Sequence, residues 1–160
     1  MDPINRRSVI ITTVAGCAGM IAGCLGDRPR YEEDDDLSID ANDYDLDDDW
    51  IEETGEDANP NWEQTFFSED DSRGLLYDYE IHEEVNDAED RYEQSVSDAG
   101  DIEEWDVADQ SYIFEDDDIA RVFWRDSNAI FQLGAVTLPG GADRQRATRY
   151  GRAIHDSMNE

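Results

Sequence analysis

Ile119-Ala120-Arg121-Val122-Phe123-Trp124-Arg125-Asp126-Ser127-Asn128-Ala129-Ile130-Phe131-Gln132-Leu133-Gly134-Ala135-Val136-Thr137-Leu138 is the stretch that decides the fold. From Ile119 to Arg125 the side chains alternate. Ala120, Val122 and Trp124 fall on one side, and Arg121, Phe123 and Arg125 on the other, the period of a strand. Asp126-Ser127-Asn128 turns the chain. Ala129 to Leu138 returns as the most apolar run of the domain, with Ile130, Phe131, Leu133 and Val136. Two such runs joined by a short turn predict an antiparallel hairpin, and their apolarity puts it at the centre of a sheet.

Working outward, Trp62 to Phe67 reads as a strand and Ser68 to Ser72 as a turn. Gly74 to His82 reads as a second strand, rich in Leu76, Tyr77, Tyr79 and Ile81. A helix is expected next, capped by Asn86 with Glu89 three residues on, and ended by Gly100. Its apolar stripe is Val85, Ala88, Tyr92, Val96 and Ala99. Trp105 to Phe114 is one irregular β-like run, and Glu115 to Asp118 a turn. After the loop Leu138-Pro139-Gly140-Gly141, Asp143 can cap a last helix with Ala147, Tyr150, Ile154 and Met158 inward. The prediction is an α+β domain over residues 62–160: a small antiparallel sheet with two packed helices. Its 99 residues suffice for one modest core.

The N-terminal segment is of another kind. Arg6-Arg7 precedes an uncharged apolar run from Val9 to Gly23, shorter than the roughly 20 residues of a membrane span. A basic start, a short apolar centre and small residues before a cut site describe an export signal, and the paired arginines point to twin-arginine export. Ile21-Ala22-Gly23-Cys24 resembles a lipobox, which implies cleavage before Cys24 and a lipid on its sulfur. Val14-Ala15-Gly16-Cys17 fits the same pattern, but cutting there leaves a very short apolar core, so Cys24 is preferred over Cys17. The alternative, an uncleaved transmembrane helix over 8–25, is weakened by Gly16, Gly19 and Gly23.

The formal net charge is −31, and all 12 basic residues are arginines. Such self-repulsion opposes compaction in dilute buffer, whereas at about 1 M salt the Debye length falls to about 3 Å. Acid excess, missing lysine and the twin-arginine lipobox segment together make the chain similar to haloarchaeal lipoproteins. The resemblance rests on the signal and composition alone, and implies anchorage at the extracellular face of the cell membrane. Acidity of this degree argues against nucleic-acid binding, which needs a basic footprint. Cys17 and Cys24 are the only cysteines. After processing the domain would hold no disulfide, no thiolate metal site and no cysteine nucleophile.

Between Cys24 and Asn61 the chain carries the blocks Glu32-Glu33-Asp34-Asp35-Asp36 and Asp47-Asp48-Asp49. Like-charge blocks predict disorder, so 24–61 reads as an acidic stalk reaching roughly 120 Å at most when extended. Tyr31, Leu37, Ile39, Tyr44, Leu46, Trp50 and Ile51 are more apolar than a spacer requires, and suit docking on the domain or on a partner. Asp43, Asp45 and Asp47 alternate as at the start of a calcium loop, but Asp48 and Thr54 stand where its glycine and last glutamate belong, a weak candidate.

No catalytic motif emerges. His82 lacks the second histidine of His-Glu-x-x-His, because Asn86 occupies its place, and His155 stands alone beside Asp156. There is no Gly-x-Ser-x-Gly elbow, and no cofactor motif. The last helix carries Arg144, Arg146, Arg149 and Arg152, which suit either pairing with the chain's own carboxylates or docking of an acidic partner. The expectation is a non-enzymatic, lipid-anchored surface protein that binds or supports another envelope component. The runner-up is a small-ligand module accessory to a transporter, which a pocket lined by Trp105, Trp124 and Tyr150 would favour.

Overall fold

The computed structural model describes residues 28–44, 46, 49–53 and 62–160. The fold is α+β: a seven-stranded sheet, antiparallel throughout, with two helices packed on it. The strands are β1 (Trp50–Glu53), β2 (Trp62–Ser68), β3 (Arg73–Ile81), β4 (Ile102–Glu104), β5 (Gln110–Glu115), β6 (Ala120–Asp126) and β7 (Ala129–Thr137). The helices are α1 (Val85–Ala99) and α2 (Arg144–Met158). Strand order is β1-β2-β3-β7-β6-β5-β4, so the expected hairpin of β6 and β7 does occupy the centre.

Because side chains alternate along a strand, the register sorts the sheet into two faces. Trp124 pairs with Phe131, Val122 with Leu133, and Tyr77 with Leu133 from the other side. These residues, with Leu75, Tyr79 and Ala135, form the larger core, on the face that carries α2. Trp124 and Phe131 stack with centroids 5.2 Å apart and planes 10° apart. Gly151 lets α2 come this close. A Cβ there would stand 2.7 Å from Val122 Cγ2 and 2.9 Å from the Trp105 ring.

The opposite face carries Tyr112, Phe123 and Ile130, which meet Ala88 and Tyr92 of α1 in a second, smaller cluster. Helix α1 packs on β6 and β7. Its start corrects one expectation. The cap position is Glu84, with no side-chain cap, and Asn86 lies inside the first turn. Starting there turns Ala88 and Tyr92, both buried, onto the sheet. Gly100 ends the helix at φ +80, a left-handed conformation that favours glycine. Asp143 caps α2 as expected, accepting from the Arg146 amide. The run Trp105–Phe114 is not one strand. Residues 105–109 form a loop between β4 and β5, tied by Val107 N donating to Ser111 Oγ at 3.2 Å.

The acidic region is where the structure departs most from the stalk reading. Residues 45, 47–48 and 54–61 lie outside the described residues, but apolar side chains of 31–46 pack onto the α2 face and 50–53 join the sheet as edge strand β1 beside β2. Ile39, Ala41 and Trp50 are buried, and Tyr31, Leu37, Tyr44 and Leu46 pack beside them. Gln64 of β2 holds the Ile39 backbone at both ends, at 2.8 and 2.9 Å. Tyr77 donates to Leu37 O at 2.9 Å, and Trp50 Nε1 to Tyr150 Oη at 2.6 Å. The physical reason is coverage. Helix α2 packs on β6 and β7, so the apolar surface of β2 and β3 needs another cover, and the segment's apolar residues supply it. Glu32 to Asp36 remain exposed between those anchors.

Candidate functional site

The arginines of α2 are occupied within the chain. Arg144 pairs with Glu103 at 2.7 Å and lies 4.0 Å from Glu115. Arg146 is buried against Asp143. Arg149 donates to Leu46 O at 2.9 Å, and the Arg152 guanidinium lies 5.8 Å from the centre of the Trp105 ring. Trp124 and Tyr150 are sealed in the core rather than lining a pocket, and Trp105 packs on Trp124 at 6.3 Å. His82 Nε2 lies 3.3 Å from Glu80 Oε1, without hydrogen-bond geometry. His155 lies near Asp156 and Asn159. Asp43 sits exposed in a 3-10 turn (Ala41–Tyr44), while Asp45 and Asp47 lie outside the described residues. Among the described residues no group of three or more His, Cys, Asp or Glu is placed to hold a metal. Arg6, Arg7, Cys17 and Cys24 also lie outside them. No described helix is long and apolar enough to cross a membrane.

Trp105 does line a cleft of about 670 Å³, together with Glu104, Asp106 and Asp109, and a second cleft, the one with cationic side chains, lies under α1. This second cleft, of about 370 Å³, has β5, β6 and β7 as its floor and the second half of α1 as its wall. Tyr112 and Phe123 lie stacked in it, 4.8 Å apart and 10° from parallel, with Phe114 beside them. Arg121 and Gln132 come from the floor, and Arg91, Ser95 and the one carboxylate of the lining, Asp98, from the wall. Arg91 lies 3.4 Å from Glu80 and donates to Ser95 Oγ at 3.2 Å. Arg121 and Gln132, both half-buried, make no hydrogen bond or ion pair with the described residues.

Asp78 extends this polar row. In the ladder it pairs with Gln132, which pairs with Phe123, while Arg121 pairs with Gly134 one diagonal away. Burial pushes the Asp78 carboxyl up to about 7, and the carboxylates of Glu63 and Glu80 push the same way. Arg121 and Arg91 oppose them without prevailing. Asp78 too makes no hydrogen bond within the described chain. Three polar side chains from three adjacent strands thus stand in a row beside an aromatic floor, without hydrogen bonds to the described residues, Arg121 and Asp78 acting on each other through charge alone.

Such a site can bind, since a cation fork, an amide and a carboxyl offer both donors and acceptors. The sequence hid it because its members come from β3, β6 and β7, and only long-range register aligns them. The available hint was Arg121 and Gln132 inside the two most apolar strands. No family model matches the chain, nor does any curated protein or solved structure.

Proposed function

We propose that this chain is a lipid-anchored, non-enzymatic binding protein of the extracellular face of a halophile's membrane, held near the bilayer by a short tether. The lipobox-like end at Cys24 and the halophilic composition support the anchor. The observation that carries the tether is the clamp on Arg30. Its backbone amide donates to Asn128 Oδ1 at 2.9 Å. Its guanidinium donates to Asp126 and to Asn159 Oδ1, both at 2.7 Å, and to Met158 O at 2.8 Å. From Cys24 to this clamp the extended chain spans only about 20 Å.

The clamp sits at the end of the sheet where β6 meets β7. Arg121 lies near the start of β6, and the cleft wall is the second half of α1, so the cleft belongs to the half of the domain away from the tether. It would face outward. Of the two targets the sequence allows, an envelope component or a small ligand, the cleft favours the small ligand, since the α2 arginines are already engaged.

Trypsin tests the tether. Arg30 is the sole cleavable site between Cys24 and Arg73, because Pro29 follows Arg28 and the chain has no lysine. With membranes in molar salt, the domain should stay membrane-bound under a trypsin exposure that digests an unfolded control. Rapid release of a fragment beginning at Tyr31 would mean a free stalk instead.

A further inference from the structure

We infer that the cleft under α1 takes a small organic carboxylate with an apolar, preferably aromatic, body, its carboxylate on Arg121. The inference rests on the binding reading above and names the ligand class.

The first ground is charge. The chain has 43 acids for 12 bases, and Arg30, Arg125, Arg144 and Arg146 each have a carboxylate within 4 Å. Arg121 is half-buried and has none that close among the described residues, though it feels the charges of Asp78 and Asp116. A guanidinium presents a planar fork that suits a carboxylate bidentately, and Arg91 lines the same cleft and adds positive potential. The second ground is shape. Tyr112, Phe123 and Phe114 form an apolar floor on which a ring can stack. A volume of about 370 Å³ lies at the small end of ligand pockets. The third ground is the polar row. Beyond Arg121, Gln132 lines the cleft and offers an acceptor and two donors, with Asp78 behind it in the ladder.

The net charge of −31 would repel an anion in dilute buffer. At about 1 M salt that long-range field collapses to about 3 Å, and the contact with Arg121 survives because it is local. The site is therefore matched to brine: the salt that screens the chain's self-repulsion also admits an anionic ligand.

The test uses the full chain in molar KCl. Phenylacetate and benzoate are titrated against their neutral amides by calorimetry. The carboxylates should bind at least about tenfold more tightly than the amides, and Arg121→Met should remove at least that factor. Arg152→Met, on the other face of the sheet, should leave binding unchanged. Equal binding of acid and amide, no binding of either acid, preference for inorganic phosphate, or full binding by the Arg121→Met protein would overturn the inference. Amide binding in the cleft without dependence on Arg121 would leave the binding reading standing while removing the carboxylate. Membrane anchorage is unaffected by any of these outcomes.

Discussion

Asn128→Ala should destabilise the domain by about 3 kcal/mol or more and free the segment that begins at Arg30. Asn128 is fully buried in the β6–β7 turn, and its amide uses its full bonding capacity. Oδ1 accepts from Arg30 N and Tyr31 N, both at 2.9 Å. Nδ2 donates to Tyr31 O at 2.9 Å and to His82 O at 2.6 Å. One side chain thereby joins the central hairpin to the exit of β3 and to the N-terminal segment. Alanine leaves the Tyr31 amide and the Tyr31 and His82 carbonyls without these partners, and the Arg30 amide with only its longer bond to Ser127 Oγ at 3.2 Å; each orphan costs about 1–3 kcal/mol. Local opening relieves some of that by releasing Arg30 from its clamp. Two readouts should therefore move together: the urea midpoint in molar salt falls, and the Arg30–Tyr31 bond becomes cleavable by trypsin. A lower midpoint with Arg30 still protected would show that the turn matters but does not hold the tether.

Asp78→Asn should stabilise the domain above neutral pH and change little near pH 4. The carboxyl ionises at about 7 in the folded chain and at about 3.8 when free. Below about pH 4 it is protonated in both states and adds no pH-dependent cost. As pH rises from about 4 to 7, the unfolded chain gains by ionising while the folded chain resists, so the wild type loses stability over that window. Above 7 the folded chain holds the charge in a poorly solvated position facing Glu63 and Glu80, with Arg121 and Arg91 compensating only partly. A shift of this size corresponds to about 4 kcal/mol, and partial exposure of the carboxyl reduces the expected gain to about 1–3 kcal/mol at pH 8. Salt should diminish the contribution from Glu63 and Glu80 but not that from burial. Unfolding of both proteins at several pH values in molar salt measures this. A difference that does not grow between pH 4 and 8 would mean that Asp78 ionises freely.

The central hairpin was legible because its signal is local. Alternation over Ala120–Trp124 and a polar three-residue turn are contiguous in sequence, and so are the Gly100 stop and the Asp143 cap. The first helix was legible in its stripe but not in its cap. Asn86 satisfies a capping pattern, yet the helix begins two residues earlier, with Glu84 at the cap and Ala88 and Tyr92 packed on the sheet. The acidic segment misled for a physical reason. Charge runs report solvent exposure, and Glu32 to Asp36 are exposed, but exposure is equally compatible with a free stalk and with a docked strap. Ile39 and Trp50 carry the deciding information, and their partners Gln64 and Tyr150 lie 25 and 100 residues away. The cleft was illegible for the same reason. Asp78, Gln132 and Arg121 become neighbours only through the pairing of β3 with β7 and of β7 with β6.

The central claim is a lipid on Cys24 with the folded domain close behind it. The direct measurement is mass spectrometry of the N-terminal tryptic peptide from protein extracted from native membranes and then unfolded. The account predicts a peptide that begins at Cys24, carries a lipid on its sulfur and ends at Arg30. A chain that begins upstream of Cys24 and bears an unmodified thiol there would contradict it.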